Sequence, residues 1–114
     1  MGLSTKTVVL SMALMLVILV SPAVAEQYHI TEGSWFGCET KEEFNTLMGY
    51  LVDGDKEAFT NALTAGLITG TCTIFESGET VYLADTSFFS GLVKVRRPGA
   101  VREYWTALEA IESS

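Results

Sequence analysis

Residues 92–107, Leu92-Val93-Lys94-Val95-Arg96-Arg97-Pro98-Gly99-Ala100-Val101-Arg102-Glu103-Tyr104-Trp105-Thr106-Ala107, carry the clearest strand signal in the chain. Val93 and Val95 alternate with Lys94 and Arg96, and a period of two puts one set of side chains on each face of a strand. Pro98-Gly99 is a turn signal, so residues 101–107 read as the strand that returns antiparallel. The register stays open. A two-residue loop and a three-residue bulged loop put Trp105 on opposite faces relative to Val93 and Val95.

The same period extends upstream. Residues 71–75 (TCTIF) and 80–83 (TVYL) read as strands joined by the turn Glu76-Ser77-Gly78-Glu79. Residues 84–91 (ADTSFFSG) read as a loop carrying Phe88 and Phe89. Downstream, residues 108–111 suit either a single helical turn or a last short strand.

Before Gly70 the period is that of a helix. Thr40-Lys41-Glu42-Glu43 fits the capping box, in which a hydroxyl and a carboxylate satisfy the free amides of a helix start reciprocally. Phe44, Leu47, Met48 and Leu51 then recur on one helical face. After Val52-Asp53-Gly54, Asp55 caps a second helix, with Glu57 in its first turn. Its apolar face is Ala58, Phe59, Ala62 and Leu63, and Gly66 or Gly70 ends it. So short a link implies antiparallel neighbours, a helical hairpin over residues 40–67. Ahead of it, residues 28–31 (YHIT) suit a short strand, Glu32-Gly33-Ser34 a turn, and Trp35 and Phe36 buried positions near Cys38.

The N-terminus reads as an export signal over residues 1–25. Lys6 gives a positive start, an apolar run of about thirteen residues follows from Val8 to Val20, and Ala23-Val24-Ala25 supplies the small-residue cleavage pattern. The run is short of the roughly 20 residues a membrane-spanning helix needs. Cleavage after Ala25 leaves one domain, residues 26–114, with no integral membrane span and a periplasmic or secreted location. The full chain has a net charge of −7. Losing Lys6 makes the exported part more acidic still, which argues against a nucleic-acid partner. In an oxidising compartment the two cysteines, Cys38 and Cys72, point to one disulfide.

Residues 72–111 resemble the C-terminal two-thirds of a bacterial SH3-like domain. The matching features are Phe75-Glu76-Ser77-Gly78-Glu79 before the strand Thr80-Val81-Tyr82-Leu83, then Leu92-Val93-Lys94-Val95-Arg96, then Pro98-Gly99. Tyr104-Trp105 stands where the family closes with Gly-Trp, with Glu103-Tyr104 in place of the glycine, followed by Leu108-Glu109-Ala110-Ile111. The layout is also similar to that of small exported bacterial proteins of unknown role. The resemblance implies an α+β fold in which a helical hairpin packs on a small SH3-like antiparallel β-barrel formed by residues 70–112. The hairpin would replace the long loop that joins the first two strands in such domains and forms half of their ligand groove. It further implies a non-enzymatic binding module for a protein, peptide or cell-wall ligand of the envelope, with Tyr82, Phe88, Phe89 and Trp105 as binding aromatics. The alternative is an accessory protein or inhibitor that acts through the helical hairpin.

No catalytic residue, cofactor or metal site is expected. Asp53-Gly54-Asp55-Lys56-Glu57 has the alternating acids of a calcium loop, but Ala58 and Thr64 fill the positions that need Gly and Glu. His29 is the only histidine, and no nucleophile turn or phosphate-binding glycine motif accompanies it. Lys94, Arg96, Arg97 and Arg102 form one basic cluster, which reads as a hairpin kept soluble or paired with the many carboxylates.

Overall fold

In the computed structural model, which describes residues 26–87 and 89–114, helix α1 (Lys41–Val52) begins where capping chemistry puts it. The Thr40 hydroxyl accepts from the Glu43 amide at 3.1 Å, and Glu42 and Glu43 add negative charge to the first turn. The reciprocal half of the capping box is not made. The Glu43 carboxylate turns instead to Thr71, whose hydroxyl donates to Oε1 at 2.8 Å. Helix α2 (Lys56–Thr69) starts at Asp55, whose Oδ1 accepts from the Ala58 amide at 3.0 Å. It ends at Gly70, which adopts the left-handed conformation (φ 80°) that only glycine enters without cost. The two helices are joined through residues 53–55 and pack on one another.

Seven strands follow in chain order: β1 (Gln27–Ile30), β2 (Trp35–Cys38), β3 (Cys72–Phe75), β4 (Thr80–Ser87), β5 (Leu92–Arg96), β6 (Glu103–Ala107) and β7 (Ile111–Ser113). They form one antiparallel sheet in the order β3-β2-β6-β5-β4-β1-β7. Two helices and an antiparallel sheet make the α+β fold expected from the sequence. The expected barrel is not closed: β3 and β7 are the two ends of the sheet and do not pair with each other among the described residues. Each end is short, and at β3 a side chain stands where a further strand would bond, because Arg97 Nη2 donates to the Ile74 carbonyl at 2.8 Å.

Other departures from the expectation have local causes. Trp35–Cys38 is a strand, buried at Phe36–Cys38 but only half-buried at Trp35, and it lies opposite β3 from Trp35↔Phe75 to Cys38↔Cys72. The segment after Leu83 is no loop as far as Ser87. It continues β4 through a bulge between Leu83 and Asp85, which breaks the alternation that sequence reading relies on. The tail is both of its alternatives, a 3-10 turn (Leu108–Ala110) and then β7.

Hairpin β5–β6 pairs Val95 with Tyr104 and Lys94 with Trp105, so Trp105 shares the face of Lys94 and opposes Val93 and Val95. Its last rung is Arg96↔Glu103, which leaves residues 97–102 as a loop longer than either alternative. This register divides the core in two. On one face, Phe36, Cys38, Cys72, Leu92 and Trp105 pack against Phe44 and Leu47 of α1, with Phe59, Ala62 and Leu63 of α2 beside them. On the other, Ile30, Phe75, Val81, Val93, Val95 and Tyr104 pack together. Thr106 bridges β6 to β2, its buried hydroxyl donating to the Phe36 carbonyl at 2.8 Å.

Cys38 and Cys72 face each other across β2 and β3 and form a disulfide, with Cα atoms 4.0 Å apart and a sequence separation of 34. The closed segment contains both helices. Constraining a loop of that length is worth up to about 4 kcal/mol through the unfolded chain. Such a bond is compatible with an oxidising, extracellular location. No described helix is long and apolar enough to cross a membrane. The export signal expected over residues 1–25 lies outside the described residues.

Candidate functional site

Among the described residues, the aromatic side chains singled out in the sequence stand in different settings. Trp105 is only 7% exposed and sits in the helix-covered core. Its ring is met by two ammonium groups, Lys41 at 4.6 Å and Lys94 at 5.3 Å from a ring centroid, so its π-face already has cationic partners. Tyr82 is half-buried on β4, opposite Gln27 and Arg96, and the Arg96 guanidinium lies 5.2 Å from its ring centroid. Phe89 is fully exposed in the turn between β4 and β5. Phe88 lies outside the described residues.

The basic cluster is engaged within the fold. Arg97 makes a bidentate pair with Glu79 (Nε to Oε2 2.9 Å, Nη2 to Oε1 3.1 Å) and also donates to Thr73 Oγ1 at 2.8 Å. Burial alone would raise the Glu79 carboxyl. Hydrogen bonds from Arg97 and the Glu76 amide, with the Arg97 charge, outweigh it and hold Glu79 below the ordinary carboxylate range. The bond to Glu79 in turn pushes Arg97 upward. Lys94 pairs with Glu103 and Arg102 with Glu39, each at 3.5 Å. Arg96 donates to the Ala100 carbonyl at 3.0 Å.

Two further clusters carry chemistry-bearing atoms. His29 Nε2 lies 3.2 Å from Glu112 Oε2 beside a mainly polar hollow. Thr31, the hydroxyl in that hollow, donates to the Glu109 carbonyl. Cys38, Glu43 and Cys72 place three ligand-type atoms within 4.8 Å of one another. Both sulfurs are bonded to each other, however, so neither offers a thiolate. Glu43 Oε1 lies 3.2 Å from Cys72 Sγ, a contact with a sulfur that has no proton to give.

The opening with the most aromatic wall is elsewhere. Trp35 and Phe36 of β2, Ile74 of β3, Leu51 of α1, and Phe59 and Leu63 of α2 enclose an apolar groove of about 290 Å³. It exists because the helices cover the β2–β3 face incompletely. The Phe36 ring stacks at 5.0 Å on Phe44 and meets Phe59 edge-on at 5.4 Å, filling the floor, while Leu51 and Ile74 remain 42% and 50% exposed at the rim. Val52, Leu67 and Ile68, further along the same helices, are exposed too. Larger hollows of about 510 Å³ flank β1 and β7, but one is the polar site beside His29, and the other, lined by Tyr28, Leu83, Val93, Leu108 and Ile111, opens along the short terminal strand.

No known family, curated protein or solved structure matches this chain. The groove therefore rests on its own geometry. Sequence reading missed it because its walls come from four separate segments, one of which, Trp35–Cys38, was not legible as a strand. The available signal was Ile74, an apolar residue on a strand whose neighbours already supply an inward face.

Proposed function

We propose that this chain is an exported, non-enzymatic SH3-like binding module that holds an extended segment of an envelope or secreted protein in the groove between α1, α2 and the β2–β3 edge. Support for the SH3-like reading comes from strand order. β1 pairs with β4 and β7, β4–β5–β6 form a meander, and a 3-10 turn precedes the last strand. In that reading the insertion carrying β2, α1, α2 and β3 stands in place of the loop that forms half of the ligand groove in such domains. One observation carries the binding reading: a groove walled by Trp35, Phe36 and Phe59 opens beside β3, the strand at the end of the sheet. Because Arg97 already occupies the Ile74 carbonyl at the β3 edge, a bound segment would be held by its apolar side chains in the groove and not by strand addition. Exposed apolar surface of this kind marks contact sites more often than isolated residues do.

A photo-crosslinking residue placed at Ile74 and, as a control, at Phe89 tests the reading in envelope preparations. The expected result is one discrete adduct from position 74 that Leu63→Glu abolishes. Adducts from position 89 alone would move the site to the β4–β5 turn. A second reading, an accessory subunit acting through its helices, is favoured by the exposure of Val52 and Ile68 on the helical surface. Adducts from Ile68 that survive Leu63→Glu would select it.

A further inference from the structure

Glu43 stands where the carboxylate of a capping box reaches back to the Thr40 amide, but its side chain meets the bridge between Cys38 and Cys72 instead. Oε1 lies 3.2 Å from Cys72 Sγ and accepts from the Thr71 hydroxyl at 2.8 Å. This oxygen and both sulfurs fall within 4.8 Å of one another. Gly66 makes the room: a Cβ there would lie 2.8 Å from Cys72 Sγ and 3.2 Å from Glu43 Oε1. Among the described residues no lysine, arginine or histidine pairs with Glu43 within 4.0 Å, so no ion pair neutralises the carboxylate. Glu43 is carried by α1 and tied to Thr71 just ahead of β3, so its place does not depend on the helix that contains Gly66.

We infer that Glu43 guards the bridge by charge, resisting anionic thiols and yielding more readily to cationic ones. The guard operates whether or not the groove is a binding site. In thiol–disulfide exchange a thiolate RS⁻ attacks one sulfur; the RS–Cys bond forms as Cys38–Cys72 breaks, and the other cysteine departs as a thiolate. A second RS⁻ attacks the mixed disulfide at the thiol's own sulfur, releasing RSSR and the remaining cysteine thiolate. The chain gains the two electrons that the thiol loses. Negative charge therefore gathers on the incoming and departing sulfurs. Attack at Cys38 forms the departing charge on Cys72, against the carboxylate. Attack at Cys72 brings the incoming thiolate up beside it. Either route sets like charges together at a part-buried site, where repulsion is screened less than in water. A positive group on the thiol offsets that repulsion, and a further negative group adds to it.

The test measures how fast cysteamine (cationic), mercaptoethanol (neutral) and mercaptopropionate (anionic) cut the bridge of the folded protein. Rates are taken at equal thiolate concentration and low salt, each divided by the same thiol's rate on an uncharged linear disulfide, which removes intrinsic nucleophilicity. Any opening of the fold that access requires enters all three rates equally and cancels from their ratios. In the wild type the cationic thiol should outpace the anionic one at least about tenfold. Glu43→Gln should lower that ratio to about twofold, chiefly by speeding the anionic thiol, a residue of preference that the acidic chain as a whole supplies. Glu42→Gln removes the same charge from an exposed position on the same helix and should leave the ratio at its wild-type value. A Glu43→Gln ratio equal to that of the wild type, or one common factor on all three rates, overturns the guard and leaves Glu43 a packing residue. Absence of any preference in the wild type overturns it before a variant is made.

Discussion

Around β2 and β3 the chain depends on a covalent bond and two covering helices; around β1, β4, β5 and β7 it depends on main-chain pairing and the ion pair Arg97–Glu79. The two regions also end differently at the surface. The second keeps most of its large apolar side chains inside, with Phe89, Val101 and Leu108 exposed singly on turns. The first leaves Leu51, Val52, Leu67, Ile68 and Ile74 outside, although its bond is the strongest single constraint in the molecule. Cross-linking lets a small fold tolerate apolar surface that burial alone would not support. That tolerance is what a binding groove requires.

The hardest way to break this comparison is to remove the bond. Cys38→Ala with Cys72→Ala should cost up to about 4 kcal/mol in urea unfolding. Hydrogen exchange should then show α1, α2, β2 and β3 losing protection before β4–β6, and uniform loss would mean that the halves are one cooperative unit. Gly66→Ala comes next. A Cβ there would lie 2.8 Å from Cys72 Sγ and 2.9 Å from its Cβ. Alanine's better helix propensity, about 1 kcal/mol, should be reversed by a clash of about 1–3 kcal/mol, seen as a lower urea midpoint.

Glu79→Gln probes the other half and should cost about 1 kcal/mol at neutral pH. Because the folded carboxyl titrates below its ordinary value, its contribution is complete above the ordinary carboxylate range. It is lost as pH falls through the depressed value. Unfolding curves of wild type and variant should therefore converge in acid, and a constant gap would assign the effect to packing. Phe89→Ser is the smallest change: a fully exposed ring should contribute less than about 0.5 kcal/mol to stability. A larger loss in thermal melting would show that the turn packs on something.

The helices were legible because Thr40 and Asp55 cap them and because their apolar periods are regular. The β5 strand was legible from two valines. What escaped shares a physical cause, namely contacts that sequence spacing does not encode. Glu43 left its capping partner for Thr71, a residue 28 positions away. Trp105 could be assigned a face only once the length of the loop over residues 97–102 was known. The second half of β4 is polar and largely exposed, so it carries no alternation to read. For the candidate site, Phe36 and Ile74 are a cross-strand pair whose partnership depends on the position of β2, a four-residue strand interrupted by Gly37.

The approach of Gly66 to Cys72 has a consequence for how the bridge can be cut. Cys38 is fully buried and Cys72 nearly so, and helix α2 covers the sulfur with a residue that has no side chain to move aside. An attacking thiolate reaches the bond only when the whole helix lifts. The speed at which a small dithiol severs it is then a clock for that lifting, and anything seated between the helix and the sheet should slow the clock.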